Sequence, residues 1–120
     1  MDEYELAWAA GFFDGEGSVH FAGASNLCYV SVGQKDRRPL QRFRDAVDVG
    51  NINGPYSNAR GSWYHWSVGG RKAARVLKLL WPYLSEPKRE KAQLVLPKRH
   101  YQFVIGWTLE MGGQPRPWDP

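Results

Sequence analysis

Apolar residues recur at two different spacings along the chain, and the change between them predicts the order of helices and strands. Helical spacing predicts helices over residues 2–13, between Pro39 and Gly50, after Gly70, and through PKREKAQLVL as far as Pro97. Alternating apolar and polar residues predict strands over 18–23, 27–34, 51–56 and 62–68. The resulting order, α-β-β-α-β-β-α, predicts an α+β fold in which helices cover one face of a single antiparallel sheet.

The strand patterns also predict what each face of that sheet carries, because successive side chains of a strand point in opposite directions. In the second strand, Cys28, Val30 and Val32 point to one face, and the residues between them point to the other. The face without helices is predicted to carry His20, Ala22, Tyr29, Ser31, Asn53, Arg60, Trp63, His65 and Ser67. Such a set is typical of a hydrated surface that reads a ligand, and not of a dry core.

Charge is distributed unevenly along the 120 residues, although the net charge is only +4. The first 16 residues hold five acidic side chains and no Lys or Arg, whereas all 16 basic residues follow them. A basic body with a local acidic, glycine-rich stretch indicates a polyanionic partner and a cation site. Charge alone leaves an ordinary solvated surface open as the alternative.

Several classes of protein are disfavoured by composition. No apolar run approaches the length of a membrane span, and the acidic start MDEYELAWAAG is not typical of a signal peptide. The single cysteine, Cys28, rules out an intrachain disulfide, and we expect it to be a small core residue. We therefore expect an intracellular protein without a membrane partner.

Residues 9–17, AAGFFDGEG, end a predicted helix in a turn that holds two carboxylates among glycines. This stretch resembles the LAGLIDADG motif of homing endonucleases, whose variants end in D-G-D-G or D-G-E-G, although Ala9 replaces the usual leading Leu. The following ββαββα order and the basic body also fit that family. The resemblance covers about residues 4–96 and assigns 1–96 to an endonuclease core. We expect residues 97–111 to form a helical extension and residues 112–120 a flexible tail.

The resemblance implies a homing-endonuclease-like αββαββα fold whose sheet forms a saddle on DNA, and a metal site at the acidic turn. Glu16 matches the family's metal-binding acid and the Gly15 carbonyl its backbone ligand, with Mg²⁺ as the ion and Mn²⁺ or Ca²⁺ as possible occupants. Asp14 is expected to form a hydrogen bond near the helix end at the subunit interface. The open alternative is that Glu16 only ends the helix, but a carboxylate there is unfavourable without a cation.

Three further residues are carried over by local match to the family. VGQKDRR, residues 32–38, matches the segment that closes the second strand, where Gln34 would position the attacking water and Arg38 would lie near the scissile phosphate. PKREKAQLVL matches the segment with the family's active-site lysine; this selects Lys88, with Lys91 as its rival. The ordinary alternatives are a strand-end surface residue for Gln34, a non-specific phosphate contact for Arg38 and a solvated lysine for Lys88.

A single copy of the motif implies a homodimer, because two DNA strands need two acids. The small helix face formed by Ala7, Ala10, Gly11 and Asp14 would then meet its twin. The expected partner is a long, nearly palindromic DNA duplex read by strands in the major groove, and no organic cofactor is expected. The candidate DNA-binding residues are His20, Tyr29, Ser31, Lys35, Arg37, Asn53, Arg60, Trp63, His65 and Ser67.

The sequence therefore predicts a homodimeric, Mg²⁺-dependent, site-specific DNA endonuclease of the class that mobilises introns or inteins. It would hydrolyse phosphodiester bonds in both strands and be located with DNA inside the cell. A non-cleaving DNA-binding regulator or an RNA-splicing maturase on the same fold is the alternative. It is less favoured because such relatives commonly lose the acid or its polar neighbours. An unrelated α+β module with a chance motif is the third reading.

Overall fold

A four-stranded antiparallel sheet and five helices make up residues 2–25 and 27–110, the part of the chain that the computed structural model describes. The helices are α1 (Glu3–Glu16), α2 (Arg37–Val47), α3 (Arg71–Leu80), α4 (Glu86–Val95) and α5 (Lys98–Glu110), with a 3₁₀ turn, Trp81–Tyr83, after α3. The strands are β1 (Gly17–Ala22), β2 (Leu27–Gln34), β3 (Asn51–Asn58) and β4 (Gly61–Gly69). The predicted α+β class and order of elements are confirmed.

The sheet joins its two hairpins through the central strands, in the order β1-β2-β4-β3. Val19 pairs with Val30, and Val30 pairs with Val68, which puts three buried valines side by side on the face that packs against the helices. The opposite face carries exposed side chains, such as His20 and Asn53. The predicted division of the sheet into a covered apolar face and an open polar face is therefore confirmed.

Three aromatic side chains fasten the first two helices to that covered face. Phe13 of α1, Phe43 of α2 and Trp66 of β4 are all fully buried. Phe43 lies 4.9 Å from Trp66 and 6.1 Å from Phe13, measured between ring centroids. Each such pair adds about 0.5–1.5 kcal/mol beyond the burial of its area. The Trp66 indole also donates a 2.8 Å hydrogen bond to the Val49 carbonyl, so its polar edge is satisfied inside the core.

Two element boundaries differ from the predicted ones. Helix α1 continues to Glu16 instead of ending at Phe13, and β1 begins at once at Gly17, whose N–H donates to the Phe13 carbonyl. The glycines around Glu16 had suggested a turn, but the helical hydrogen bonds continue through them. Strand β3 extends to Asn58, and its register shifts between Asn53 and Tyr56.

The helical extension expected over residues 97–111 contains α5, which begins at Lys98. Its side chains Tyr101 and Val104 are buried in the same core as the rest of the domain. Position 111 and the predicted tail, 112–120, lie outside the described residues, and the division at residue 96 stays a prediction. Within the described ranges, no helix combines the length and the apolar character that crossing a bilayer requires.

We predict that Trp66→Phe lowers the free energy of unfolding by about 1–3 kcal/mol, because it leaves the partly buried Val49 carbonyl without its donor. Trp63→Phe is the matched control, since Trp63 lies half-buried on the open face and should cost less than half as much. Urea unfolding at one fixed protein concentration measures both. Equal losses for the two variants would contradict this account of the core.

Candidate active site and nucleic-acid interface

The acidic turn is the last turn of α1 together with Gly17, its C-cap. It places the Glu16 carboxylate at the very end of the helix, exposed to solvent. The last turn of α1 contains no basic residue, so the negative end of the helix dipole is not offset from within the helix. Gln34, at the end of β2, donates a 3.0 Å hydrogen bond from Nε2 to Glu16 Oε2. Pairing of Gly17 with Val32 brings the two together, because it aligns the start of β1 with the end of β2.

Lys88 reaches the same turn from α4. Its Nζ donates a 2.9 Å hydrogen bond to the Gly17 carbonyl and lies 5.5 Å from the centre of the Phe13 ring. Lys91, the rival candidate, is exposed on α4. The structure thus gathers Glu16, Gln34 and Lys88 around one bend of the backbone.

Gly17 cannot be replaced without moving this bend. A Cβ at that position would overlap the ring of Phe13, which is fully buried and fixed by the aromatic core. The glycine therefore lets the strand leave the helix close to Phe13, and so keeps Glu16 and the Gly17 carbonyl next to each other.

Asp14 fixes the position of α4 relative to α1. Its carboxylate accepts hydrogen bonds from the N–H of Ser85, at 3.1 Å, and from the Ser85 hydroxyl, at 3.0 Å. Ser85 is the N-cap of α4, and Lys88 follows it within the first turn. Asp14 therefore bonds within its own chain and helps to position the lysine, whereas the sequence suggested a role at a subunit interface.

The exposed side of α1 differs from the small face that the sequence predicted. Ala10 is fully buried inside the protomer, so the prediction is wrong at that position. The reason is the helical twist, which turns Leu6, Ala9, Ala10 and Phe13 towards the core. The exposed stripe consists of Ala7, Gly11 and Gly15, four residues apart, and a Cβ added at either glycine would meet nothing within 4 Å.

Arg38 lies on the first turn of α2, and its guanidinium is held by Asp36, the N-cap of that helix. The contacts from Arg38 to the carboxylate are 2.6–3.2 Å long, and the arginine side chain is 89% exposed. These hydrogen bonds lower the pKa of Asp36 to about 2. The Arg38 guanidinium is therefore paired within α2, and a phosphate would have to compete with Asp36 for it.

The open face of the sheet carries most of the predicted DNA-binding residues. His20 stacks on Tyr29 with 5.7 Å between ring centroids, and His65 pairs with Asn53 in the neighbouring strand. Trp63 and Ser67 are half-buried on β4, while Lys35, Arg37, Asn53 and Arg60 are exposed. Ser31 lies on this face but is only 8% exposed, and its hydroxyl is 3.1 Å from that of Ser18. Ser31 is thus poorly placed for a direct base contact, and Ser18 is the more accessible of the pair.

Sequence reasoning missed two residues of this face, Asn51 and Tyr56. Asn51 pairs with Ser67, and Tyr56 packs against Trp63 with 6.0 Å between ring centroids. Strict alternation from Asn53 would send Tyr56 to the covered face, but the register shift at Gly54–Pro55 turns it back. The Gly-Pro pair within a strand pattern was the signal for that irregularity.

One protomer offers few ligands for a metal. Among residues 2–25 and 27–110, no group of three or more His, Cys, Asp or Glu side chains is arranged to hold an ion. The Glu16 carboxylate and the Gly15 carbonyl are hard oxygen donors of the kind that Mg²⁺ accepts. The donor set therefore suits Mg²⁺ in kind but is incomplete in number, so the remaining ligands would have to come from water, a phosphodiester or a second subunit.

Comparison with known proteins rests on structure, since neither a family model nor the sequence of a curated protein matches this chain. The fold superposes on the homing endonuclease I-CvuI, in complex with uncleaved I-CreI target DNA, with a TM-score of 0.61 and 18% identity over 95% of this chain and 86% of that one. The archaeal intron-encoded homing endonuclease I-Vdi141I, complexed with DNA, gives 0.61 and 16% over 94% and 77%. The LAGLIDADG meganuclease I-AabMI gives 0.58 and 19% over 89% and 40%. The chain therefore has the fold of the LAGLIDADG homing endonucleases, as residues 9–17 implied.

Proposed function

We propose that the protein is a homodimeric, metal-dependent endonuclease that cuts a specific site in double-stranded DNA. The observation that carries the proposal is the cluster at the acidic turn. There Gln34 donates a hydrogen bond to the Glu16 carboxylate, and Lys88 donates one to the carbonyl of Gly17. An exposed carboxylate at the negative end of a helix is poorly stabilised unless a cation joins it. The DNA complexes formed by proteins of the same fold support the choice of substrate.

The residues of the cluster suit the hydrolysis of a phosphodiester. Glu16 and the Gly15 carbonyl would hold a divalent cation; when bound, the ion supplies charge neutralisation and Lewis-acid activation. The Gln34 amide has a second N–H and a carbonyl with which to orient a water molecule. Lys88 carries a positive charge beside the turn and would stabilise the negative charge that develops on the phosphate oxygens.

The open face of the sheet is suited to the major groove of a duplex. Its amide, imidazole and hydroxyl groups can donate to and accept from base edges. Asn51, Asn53 and His65 lie on adjacent strands, so they would address neighbouring base pairs. Exposed Lys35, Arg37 and Arg60 would meet phosphates at the edges of that surface.

The second subunit would pack along the exposed stripe of α1. Ala7, Gly11 and Gly15 leave the backbone of α1 accessible, so a second helix could approach closely. A twofold axis along this stripe would bring two Glu16 turns side by side, one for each DNA strand. The target would then be nearly palindromic, because the two subunits are identical.

A DNA-binding protein that does not cleave is the second candidate. It is favoured by the pairing of Arg38 with Asp36, which occupies a residue expected near the scissile phosphate. The cleavage assay below separates the two candidates.

Glu16→Gln is predicted to abolish cleavage of a target selected from a randomised plasmid library in the presence of Mg²⁺, while binding to that target is retained. The substitution keeps the shape of the side chain but removes the charge that would hold the cation. Glu90→Gln, an exposed position on α4, is the matched control and should cut at the wild-type rate. Cleavage by Glu16→Gln would refute the assigned role, and binding without cleavage by the wild type would favour the second candidate.

Gly11→Leu is predicted to convert the dimer to a monomer without unfolding the protomer. Within the protomer there is free space at Gly11, and leucine favours a helix by about 1 kcal/mol over glycine. Between paired helices the same side chain would force the backbones apart. Sedimentation velocity measures the mass, and Glu90→Leu controls for an added exposed leucine. A Gly11→Leu dimer that still cleaves would show that the subunits do not meet along α1.

A further inference from the structure

A cavity of about 360 Å³ lies between the first turns of α3 and α5, on the helical side of the molecule. Its walls are Arg71, Ala74, Arg75, Arg99, His100 and Phe103. Three of these six side chains are guanidinium groups, and none is acidic. Four other cavities of the described chain hold at most two basic side chains each, and this one lies outside the site built around Glu16.

The three arginines of the cavity differ in their pairing from those of α2. Three of the four arginines on α2 pair with acids: Arg38 with Asp36, Arg42 with Glu5, and Arg44 with Asp45 and Asp48. Among the residues whose side chains are described, Arg71, Arg75 and Arg99 form no ion pair or hydrogen bond. No described residue therefore competes with an external anion for their donors.

The placement of these arginines on their helices is unfavourable without an anion. Helix α1 has Glu3 and Glu5 in its first turn, which complement the positive end of the dipole. Helices α3 and α5 have no acid in the first turn and carry Arg71 and Arg99 there instead. The N-cap of α3, Gly70, offers no side-chain hydrogen bond. A bound phosphate would neutralise both helix ends and the arginines together.

His100 shows the same excess of positive charge. Burial, Arg99 and Arg71 lower the pKa of His100, in that order of size, so both arginines act on the imidazole. The Nδ1 atom of His100 is buried and has no hydrogen-bond partner among the described residues. His100, a lining residue of the cavity, thus lies near two arginines and has one buried ring nitrogen without a described partner.

Arg71 lines both this cavity and a second groove. Arg71 and Lys72 line the second groove together with Tyr29, Asn51, Asn53 and Ser67, which belong to the open face. An anion held at Arg71 would therefore lie beside the open face. Gly69, two residues before Arg71, pairs with Tyr29, whereas Gly17 pairs with Val32. Tyr29 and Val32 are three residues apart on β2. The level of the sheet at which Gly69 leads to the arginine cavity is therefore about 10 Å from the level of the acidic turn, at about 3.4 Å per residue.

We propose that this cavity binds a backbone phosphate of the DNA duplex at the side of the open face where Tyr29 lies. The inference rests on the proposed function, because it assigns the phosphate to the same duplex. Arg71 and Arg99 are its main ligands, since guanidinium groups bind phosphate oxygens through two parallel hydrogen bonds. Each subunit of the dimer contributes one such contact, beside Tyr29 in its half-site.

The test compares two double variants of the full chain. R71Q/R99Q removes two charges that line the cavity, and K91Q/K98Q removes two charges from exposed residues that do not line it. Fluorescence anisotropy with a non-specific DNA duplex gives the dissociation constant over a series of salt concentrations. Far-UV circular dichroism and thermal melting verify that both variants fold.

The logarithm of the binding constant falls as the logarithm of the salt concentration rises. We expect R71Q/R99Q to make this slope less steep by about 2 per dimer, and K91Q/K98Q to leave it unchanged. On a selected target, hydroxyl-radical footprinting should lose protection at one position in each half-site for R71Q/R99Q. Equal slopes for R71Q/R99Q and the wild type would overturn the inference alone. Equal effects of the two double variants would show dependence on net charge, and not on this cavity. Failure of the wild type to bind DNA would overturn the proposed function as well.

Discussion

The conflict between the Glu16 carboxylate and the negative end of α1 is the interaction on which the rest of the site depends. Such a placement costs about 0.3–1 kcal/mol at an exposed helix end. The chain offsets part of this cost with the Gln34 amide, which bonds the carboxylate, and with the Lys88 ammonium, which bonds the Gly17 carbonyl. The other carboxylate oxygen accepts no hydrogen bond from the described residues, and a divalent cation is the partner that we propose for it.

The fold holds these groups in place through contacts that are individually ordinary. Phe13, three residues before Glu16, is buried against Phe43 and orients the last turn of α1. Asp14 bonds Ser85 and so fixes the start of α4, from which Lys88 extends. Residues that pack in the core and residues of the proposed site thus follow one another directly in the last turn of α1. A change at either side would disturb the other.

Much of the fold could be predicted from the sequence because strand alternation and the motif are local signals. What the sequence could not give depends on contacts distant in the chain. Lys88 and Lys91 are the same residue type on the same helix. Only the position of α4 against β1 shows which of the two reaches the acidic turn. Ala10 matches the small-residue spacing, yet the packing of α1 buries it. Tyr56 changes faces because the register shifts at Gly54–Pro55, a change that simple alternation cannot represent.

The central claim is that each Glu16 serves one strand of the duplex, and mixed dimers test it most directly. Dimers with one wild-type and one Glu16→Gln subunit can be isolated through two different affinity tags and incubated with a supercoiled plasmid that carries the target. The account predicts that these dimers produce nicked circles and no linear DNA in a first turnover. Linear product at the wild-type rate would contradict it, because one carboxylate would then suffice for both strands.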